Sequence, residues 1–360
     1  MTRRVLVARL DSAGDVLLAG PAVRAIAGGA SIGRGAEPTE VILLNGPQGE
    51  AAGSLLPGVA AQFTWECPWI IAPAPAANAA LMHELSVFIR GAALDEAIIL
   101  TSFHQSPLPL ALALRLAGVP FITAASSDYA GSLLDVRLRP GEDFPEDQPE
   151  PERALTIVRA AGYQLSPGDD GRLRVKDVPD VTALVGAGPY IAIHPGAAVP
   201  SRRWPALHHA AVAELLTGSG YRVVVTGSAA ESGLTATVAG VAGLDLGGRT
   251  DLSTLAGVVS GASVLITGNT GPAHLAAAVG TPVVSLFSPV VPAVRWAPYG
   301  VPLELLGDQN APCRLSRARE CPVPGHPCLS SVSPEDVVDA VERLLNGVSS
   351  LQTRREVKQR

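Results

Sequence analysis

Three short polar loops carry residues able to do chemistry on a charged ligand. In "RLDSAGDVLLAGPAVRA", Asp15 stands where an apolar run gives way to a helical one. A carboxylate there can cap the orphan N–H groups of a helix or act as a general base. The helix N-terminus keeps it ionised, the form a base needs, while lowering its basicity. Ser12 and Gly14 let backbone approach a ligand closely, though Gly14 equally suits the turn alone. In "IAIHPGAAVPSRRWP" an apolar run ends at His194, Pro195 and Gly196 turn the chain, and Arg202 and Arg203 precede Trp204-Pro205. Pro205 suits a first helical turn, so the guanidinium groups fall just ahead of a helix N-terminus. There they can neutralise a diphosphate, or simply be solvated charge. In "ITGNTGPAHLAAAV", Asn269 or Thr270 caps a helix, Pro272 occupies its first turn and His274 lies one turn in. N–H groups at Thr270 and Gly271 then point outward with the helix dipole behind them, which makes an anion site. His274 can donate to a phosphate oxygen or serve as a structural hydrogen-bonder.

Other chemistries lack their motifs. There is no G-x-x-x-x-G-K-[ST], and "GAGPYI" and "GSGYRV" precede their apolar runs, the wrong side for a dinucleotide loop. No D-x-D follows any apolar run, so a diphosphate-bound Mg²⁺ held that way has no candidate. A net charge of −6 argues against nucleic acid as a partner. Cys313, Cys321 and Cys328 cluster with His326 in "CRLSRARECPVPGHPC", without the paired C-x-x-C spacing of a zinc site. Reduced thiols or one local disulfide fit that segment better, and no metal or cofactor is expected. No run reaches the ~18 apolar residues of a membrane span, and "MTRRVLVARL" lacks a signal-peptide pattern, so the expected location is cytoplasmic.

The loops need a scaffold, and the apolar pattern supplies one. Val, Ile and Leu runs alternate with Ala-rich helical stretches, the βα rhythm of a parallel sheet. In the first half "RVLVARL", "EVILLNG", "EAIILTS" and "PFITAAS" read as strands, with "DVLLAGPAVRAIAG" and "PLPLALALRLAG" as helices between them. "RPGEDFPEDQPEPE" reads as a surface loop, "RALTIVRAAG" as a helix and "LSPGDDGRLRVKDVPD" as a linker. The rhythm then restarts with strands "PYIAIHPG", "YRVVVTGS", "VLITGN" and "PVVSLFSP". A last helix, "SPEDVVDAVERLLNG", is expected to end near Gly347, ahead of a polar tail. The expected class is α/β: two Rossmann-like domains, residues 1–175 and 176–346, facing across a cleft, with 347–360 as tail. Open α/β sheets bind ligands at their strand carboxyl ends, where all three loops fall.

With the loops in this order, "RVLVARLDSAGDVLLAGPAVRAI", "IAIHPGAAVPSRRWP" and "TGNTGPAHLAAAVGTPVVSLFSP" resemble the ADP-heptose heptosyltransferases, glycosyltransferase family nine, which add heptose to the lipopolysaccharide inner core. The resemblance covers nearly the whole chain, including "CPVPGHPCLSSVSPEDVVDAVERLL". It implies a GT-B fold, an acceptor bound mainly by the first domain, an ADP-sugar bound by the second, and inverting transfer without a metal. It assigns the catalytic base to Asp15, a diphosphate contact to Arg202 and a ribose contact to Glu231 of "TGSAAES". Thr270, Gly271 and His274 match the family's D-[ST]-G-x-x-H motif, whereas Asn269 stands where the family usually has aspartate. An amide both donates and accepts, so the departure bears on which sugar is bound.

Between residues 40 and 135 the Arg and Lys residues are Arg90 and Arg115, few for an anionic acceptor. A natural-product aglycone or aminoglycoside-type acceptor therefore stands beside an envelope glycan. His104, in "TSFHQSPLP", is a candidate acceptor contact along with Ser12 and Gly14. A non-catalytic sugar-nucleotide binder is the remaining alternative. Oligomeric state is not encoded in any of these motifs.

Overall fold

The computed structural model describes residues 2–29 and 38–358. The chain divides into two compact units, Met1–Lys176 and Asp177–Arg360. In the first, strands β1 (Arg3–Arg9), β2 (Thr39–Asn45), β3 (Val59–Thr64), β4 (Glu96–Ile99), β5 (Ile122–Ala125) and β6 (Val136–Leu138) form a parallel sheet in the order β3-β2-β1-β4-β5-β6. Its helices are α1 (Ala13–Leu18), α2 (Gly20–Ala27), α3 (Glu50–Leu55), α4 (Ala79–Ala92), α5 (Leu108–Leu116) and α6 (Glu150–Ala160).

The second unit repeats the plan. Strands β7 (Ile191–His194), β8 (Val223–Val225), β9 (Leu244–Asp245), β10 (Val264–Gly268), β11 (Val283–Leu286) and β12 (Leu303–Leu306) pair in parallel as β12-β11-β10-β7-β8-β9. Around them lie α7 (Thr182–Val185), α8 (Ala206–Gly218), α9 (Ser232–Ala239), α10 (Leu252–Gly261), α11 (Gly271–Val279), α12 (Ala293–Trp296), α13 (Pro327–Ser330) and α14 (Pro334–Lys358). Central strands are buried on both faces, which is why Val5–Val7 and Val264–Ile266 read as unbroken apolar runs. In both sheets the strand order reverses at the centre, between β1 and β4 and between β7 and β10. These are the switch points at whose carboxyl ends α/β sheets bind ligands.

Besides the edge strands β3, β6, β9 and β12, which the sequence reading did not include, the structure departs from it in four places. The single helix expected over "DVLLAGPAVRAIAG" is two, α1 and α2, hinged at Ala19, because Pro21 has no N–H for the carbonyl one turn back. The acidic, proline-rich stretch is not all surface loop: Phe144 and Glu150 are buried, and Glu150 opens α6. The expected linker is anchored to the first unit. Arg24 grips Asp169 with two hydrogen bonds of 2.7 and 2.9 Å, Leu173 is buried, and the Lys176 N–H donates to the Leu55 carbonyl at 2.9 Å. Finally, α14 continues through Gly347 to Lys358. A mid-helix glycine costs only about 1 kcal/mol, and no proline follows to stop the helix. The last two residues of the expected tail lie outside the described residues.

Candidate active site

In the first unit the switch point gathers a buried charged cluster around Arg9, the last residue of β1. Ser12 is the N-cap of α1 and Asp15 its third residue. One Asp15 oxygen accepts from the Ser12 hydroxyl at 2.7 Å and the Ser12 N–H at 3.3 Å, and the other faces Arg9 Nη2 at 2.9 Å. Asp15 is thus both the acidic member of the α1 capping box and a partner of Arg9. Arg9 is 3% exposed and also meets Asp11 through Nε at 3.2 Å and Glu150 through Nη1 at 3.5 Å. Its Nη2 donates to Ser102 Oγ at 3.0 Å. Asp11 in turn accepts from Gln105 Nε2 and from Ser102 Oγ, both in the loop after β4. Burial pushes the Asp11 carboxyl up; Arg9 opposes that and the Asp15 charge adds to it. Gly14 is buried, Ser12 exposed, and His104 is exposed with its ring edge-on to Phe103 at 5.4 Å. Arg9, Asp11, Ser102, Gln105 and Glu150 were not among the residues singled out from sequence. Asp11 sat in plain view in "RLDSAGD", whereas Glu150 was hidden in a stretch whose composition reads as solvated.

In the second unit, β7 ends at His194, whose Nδ1 lies 3.0 Å from the Thr226 hydroxyl beyond β8. Burial drives its pKa down to about 4 against the pull of Glu231, so the imidazole is neutral. Glu231 accepts from the Ser228 N–H at 3.0 Å and hydroxyl at 2.7 Å. Burial would raise its pKa, but those two donors hold it below the usual carboxylate range. Its carboxylate lies across Gly196, where any Cβ would collide with it.

Arg202 ends the 3₁₀ turn Pro200–Arg202, and its carbonyl presses on Gly268 so closely that a Cβ there would stand 3.0 Å away. That places the Arg202 turn against the end of β10, next to Asn269. Arg203 is exposed and donates Nε to the Ala197 carbonyl at 3.0 Å. The cysteine-rich segment braces the same turn. Ser201 N donates to Arg319 O at 3.0 Å, Ser201 Oγ to Ala318 O at 2.6 Å, and His326 Nε2 to Ser201 O at 3.0 Å. Cys313 and Cys328 are buried, Cys321 is partly so, and all three are free thiols, with burial pushing Cys328 up to about 11. Among the described residues, no group of three or more His, Cys, Asp or Glu is placed to hold a metal ion.

Asn269 follows β10 directly. It is 5% exposed, and neither its Nδ2 nor its Oδ1 has a hydrogen-bond partner. Thr270 is the N-cap of α11, in extended backbone, and its side chain makes no capping hydrogen bond. Gly271 opens the helix and His274, 6% exposed, lies one turn in. The N–H groups heading α11 therefore look toward the switch point without the hydroxyl that usually covers them.

Residues 142–326 of the 360 match the family model described as Glycosyltransferase family 9 (heptosyltransferase). The chain belongs to glycosyltransferase family 9. The matched stretch contains Arg202, Glu231, Asn269, Thr270, Gly271 and His274 of the family 9 resemblance; Asp15 precedes it. A curated family relative, lipooligosaccharide heptosyltransferase 2 of Haemophilus influenzae, is 33% identical over 119 residues, and the chain spans 34% of its length. Two solved structures align far more widely. The family 9 glycosyl transferase of Veillonella parvula has a TM-score of 0.75 at 18% identity, over 96% of this chain and 98% of that one. The E. coli ADP-heptose lps heptosyltransferase II has a TM-score of 0.70 at 20% identity, over 96% and 99%. These likenesses give the family 9 fold: GT-B, with two Rossmann-like units.

Proposed function

We propose that this family 9 chain transfers heptose, or a closely related sugar, from an ADP-sugar to an acceptor hydroxyl, with inversion and without a metal. The observation that carries the reading is the buried Asn269 amide, whose donor and acceptor both lack partners at the head of α11. A buried amide left unsatisfied costs about 1–3 kcal/mol, and a sugar hydroxyl able to accept and donate would restore both bonds. Beside it, Arg202, the Thr270–Gly271 N–H groups and His274 suit a diphosphate, and Glu231 suits a ribose.

The reaction follows from these parts. Asp15 takes the proton of the acceptor hydroxyl as that oxygen forms its bond to the anomeric carbon. The bond from that carbon to the diphosphate breaks on the opposite face, and its electron pair leaves with ADP. Arg202, the α11 N–H groups and His274 stabilise the charge growing on the leaving group, which leaves no task that requires a metal.

One observation favours a neutral or amine-bearing acceptor over an anionic glycan. Of the two basic residues between 40 and 135, Arg115 is spent on the carbonyls of Leu133, Val119 and Pro120 and on Asp135. The switch point itself gathers Asp11, Asp15 and Glu150 around buried Arg9. An acceptor carrying phosphate would meet repulsion there.

The deciding experiment is a thermal-shift screen of nucleotide-sugars, followed by mass spectrometry of reactions with ADP-heptose and candidate acceptors. Stabilisation by ADP-heptose over UDP- and GDP-sugars, and a product heavier by one heptosyl unit, are expected. No shift with any ADP-sugar would sink the reading. Activity in excess EDTA is expected to persist, and a loss restored by Mg²⁺ would overturn the metal-free step.

A further inference from the structure

The cluster around Arg9 holds more than the proposed base. The two edge positions of the guanidinium are divided: Nε meets Asp11 at 3.2 Å and Nη2 meets Asp15 at 2.9 Å. Nη1 is directed at Glu150, 3.5 Å away. The Arg9 guanidinium thereby contacts three carboxylates. A carboxylate that owned Arg9 alone, at a helix start, would be a weak base, since a neighbouring guanidinium lowers a carboxyl pKa by about 1–3 units. A general base for a sugar hydroxyl needs the opposite.

We propose that Asp11 is a positioning residue for the base: by occupying the Nε edge of Arg9 it divides the guanidinium charge and preserves the proton affinity of Asp15. The inference rests on the reading of Asp15 as base. In this role Asp11 acts through Arg9 on Asp15, and it is itself held by Gln105 Nε2 and Ser102 Oγ. Ser102 ties the arrangement together, accepting from Arg9 Nη2 at 3.0 Å while its hydroxyl reaches Asp11 at 3.3 Å. Gln105 is held in turn, its Oε1 accepting from the Ser102 N–H at 3.0 Å. Other charged groups enter from each neighbouring element. Arg9 comes from β1, Glu150 from α6, and Arg153 from α6 behind it, donating to the Thr101 carbonyl at 2.7 Å and lying 3.7 Å from Glu146. Cys67, after β3, senses the Asp11 charge but is itself pushed up to about 12, chiefly by burial, and stays protonated. Two carboxylates on one guanidinium edge form a coupled pair whose protons bind in two steps.

Carboxyl ¹³C NMR of aspartate-labelled full-length chain tests this without any acceptor. The Asp15 resonance is assigned by its loss in Asp15→Asn. In the wild type it is expected to titrate in two steps, the second marking the Asp11 event. In Asp11→Ser and Asp11→Asn it should titrate in one step, about one pH unit below the upper wild-type step. A single wild-type step that does not sense Asp11, or an unmoved midpoint in a folded variant, overturns the inference. The wild-type titration decides even if both variants unfold. Consumption of ADP-heptose by Asp15→Asn separates the two claims. Full turnover there removes Asp15 as base, whereas an inactive Asp15→Asn with an unmoved titration defeats only the role of Asp11.

Discussion

On the proposed reading, Asn269 is where donor binding and stability pull against each other most directly. A buried amide with two unmet hydrogen bonds is a cost the folded chain carries when empty, about 1–3 kcal/mol. Asn269→Leu removes that cost at similar volume, so its unfolding midpoint should rise above wild type while donor binding is lost. Calorimetric titration with ADP-heptose beside a thermal melt reads both, and a lower midpoint with intact affinity would contradict the assignment. Arg202 makes the complementary case, since on the proposed reading its guanidinium faces the donor diphosphate. Arg202→Ala should weaken ADP-sugar binding about 10–100-fold, the worth of a charge-assisted hydrogen bond, as read by calorimetric titration. Asp15→Ala should do the reverse, leaving ADP affinity nearly unchanged and cutting transfer severely, which single-turnover kinetics would register.

At the scale of elements, the site depends on loops kept short and close by glycine. Gly196 leaves β7 with the Glu231 carboxylate laid over it, so a methyl group there must displace Glu231. Gly196→Ala is therefore expected to fold and to bind ADP about tenfold more weakly; equal affinity in a direct titration would show that Glu231 does not contact the nucleoside. The carriers of these loops were legible in the sequence because doubly buried strands such as β1, β7 and β10 are unbroken apolar runs bounded by turn residues. The edge strands β3, β6, β9 and β12 were not, since none of their residues is fully buried and none forms an unbroken run of Val, Ile and Leu. The positions of Asp15 in the first turn of α1 and of Thr270 at the head of α11 were readable because a motif is local. Arg9, Glu150 and Gln105 were not, because their meaning comes from contacts 93 to 141 residues apart that no local pattern encodes. The acidic proline-rich stretch misled for the same reason: composition reports the average residue, and Glu150 is the exception that turns inward.

Across the whole molecule the two units differ in their response to mild acid. The second buries two neutral histidines, His194 at about 4 and His209 at about 3, burial being the main cause in both. His209 packs edge-on against Trp204 at 4.8 Å, and its Nδ1 has no partner. In the unfolded chain each takes a proton near 6.5, and in the folded chain only near 3 to 4. Below pH 6.5 the unfolded form therefore binds more protons, and each histidine removes about 1.4 kcal/mol per pH unit until its folded pKa is reached. Asp169 in the first unit, held at about 2 chiefly by Arg24, has the same sign but acts only below 3.8. The raised Asp11 carboxyl has the opposite sign, since the folded form gains its proton first as pH falls. Between pH 6.5 and 4, then, residues 177–360 should lose stability while residues 1–176 hold theirs. Hydrogen exchange followed along the chain at pH 7, 5.5 and 4.5 would show protection falling first in the second unit. His209→Leu should flatten that fall by about one proton's slope, because leucine keeps the contact with Trp204 and removes the titration. Protection lost equally in both units, or a slope untouched by His209→Leu, would mean that the buried imidazoles are not what acid attacks.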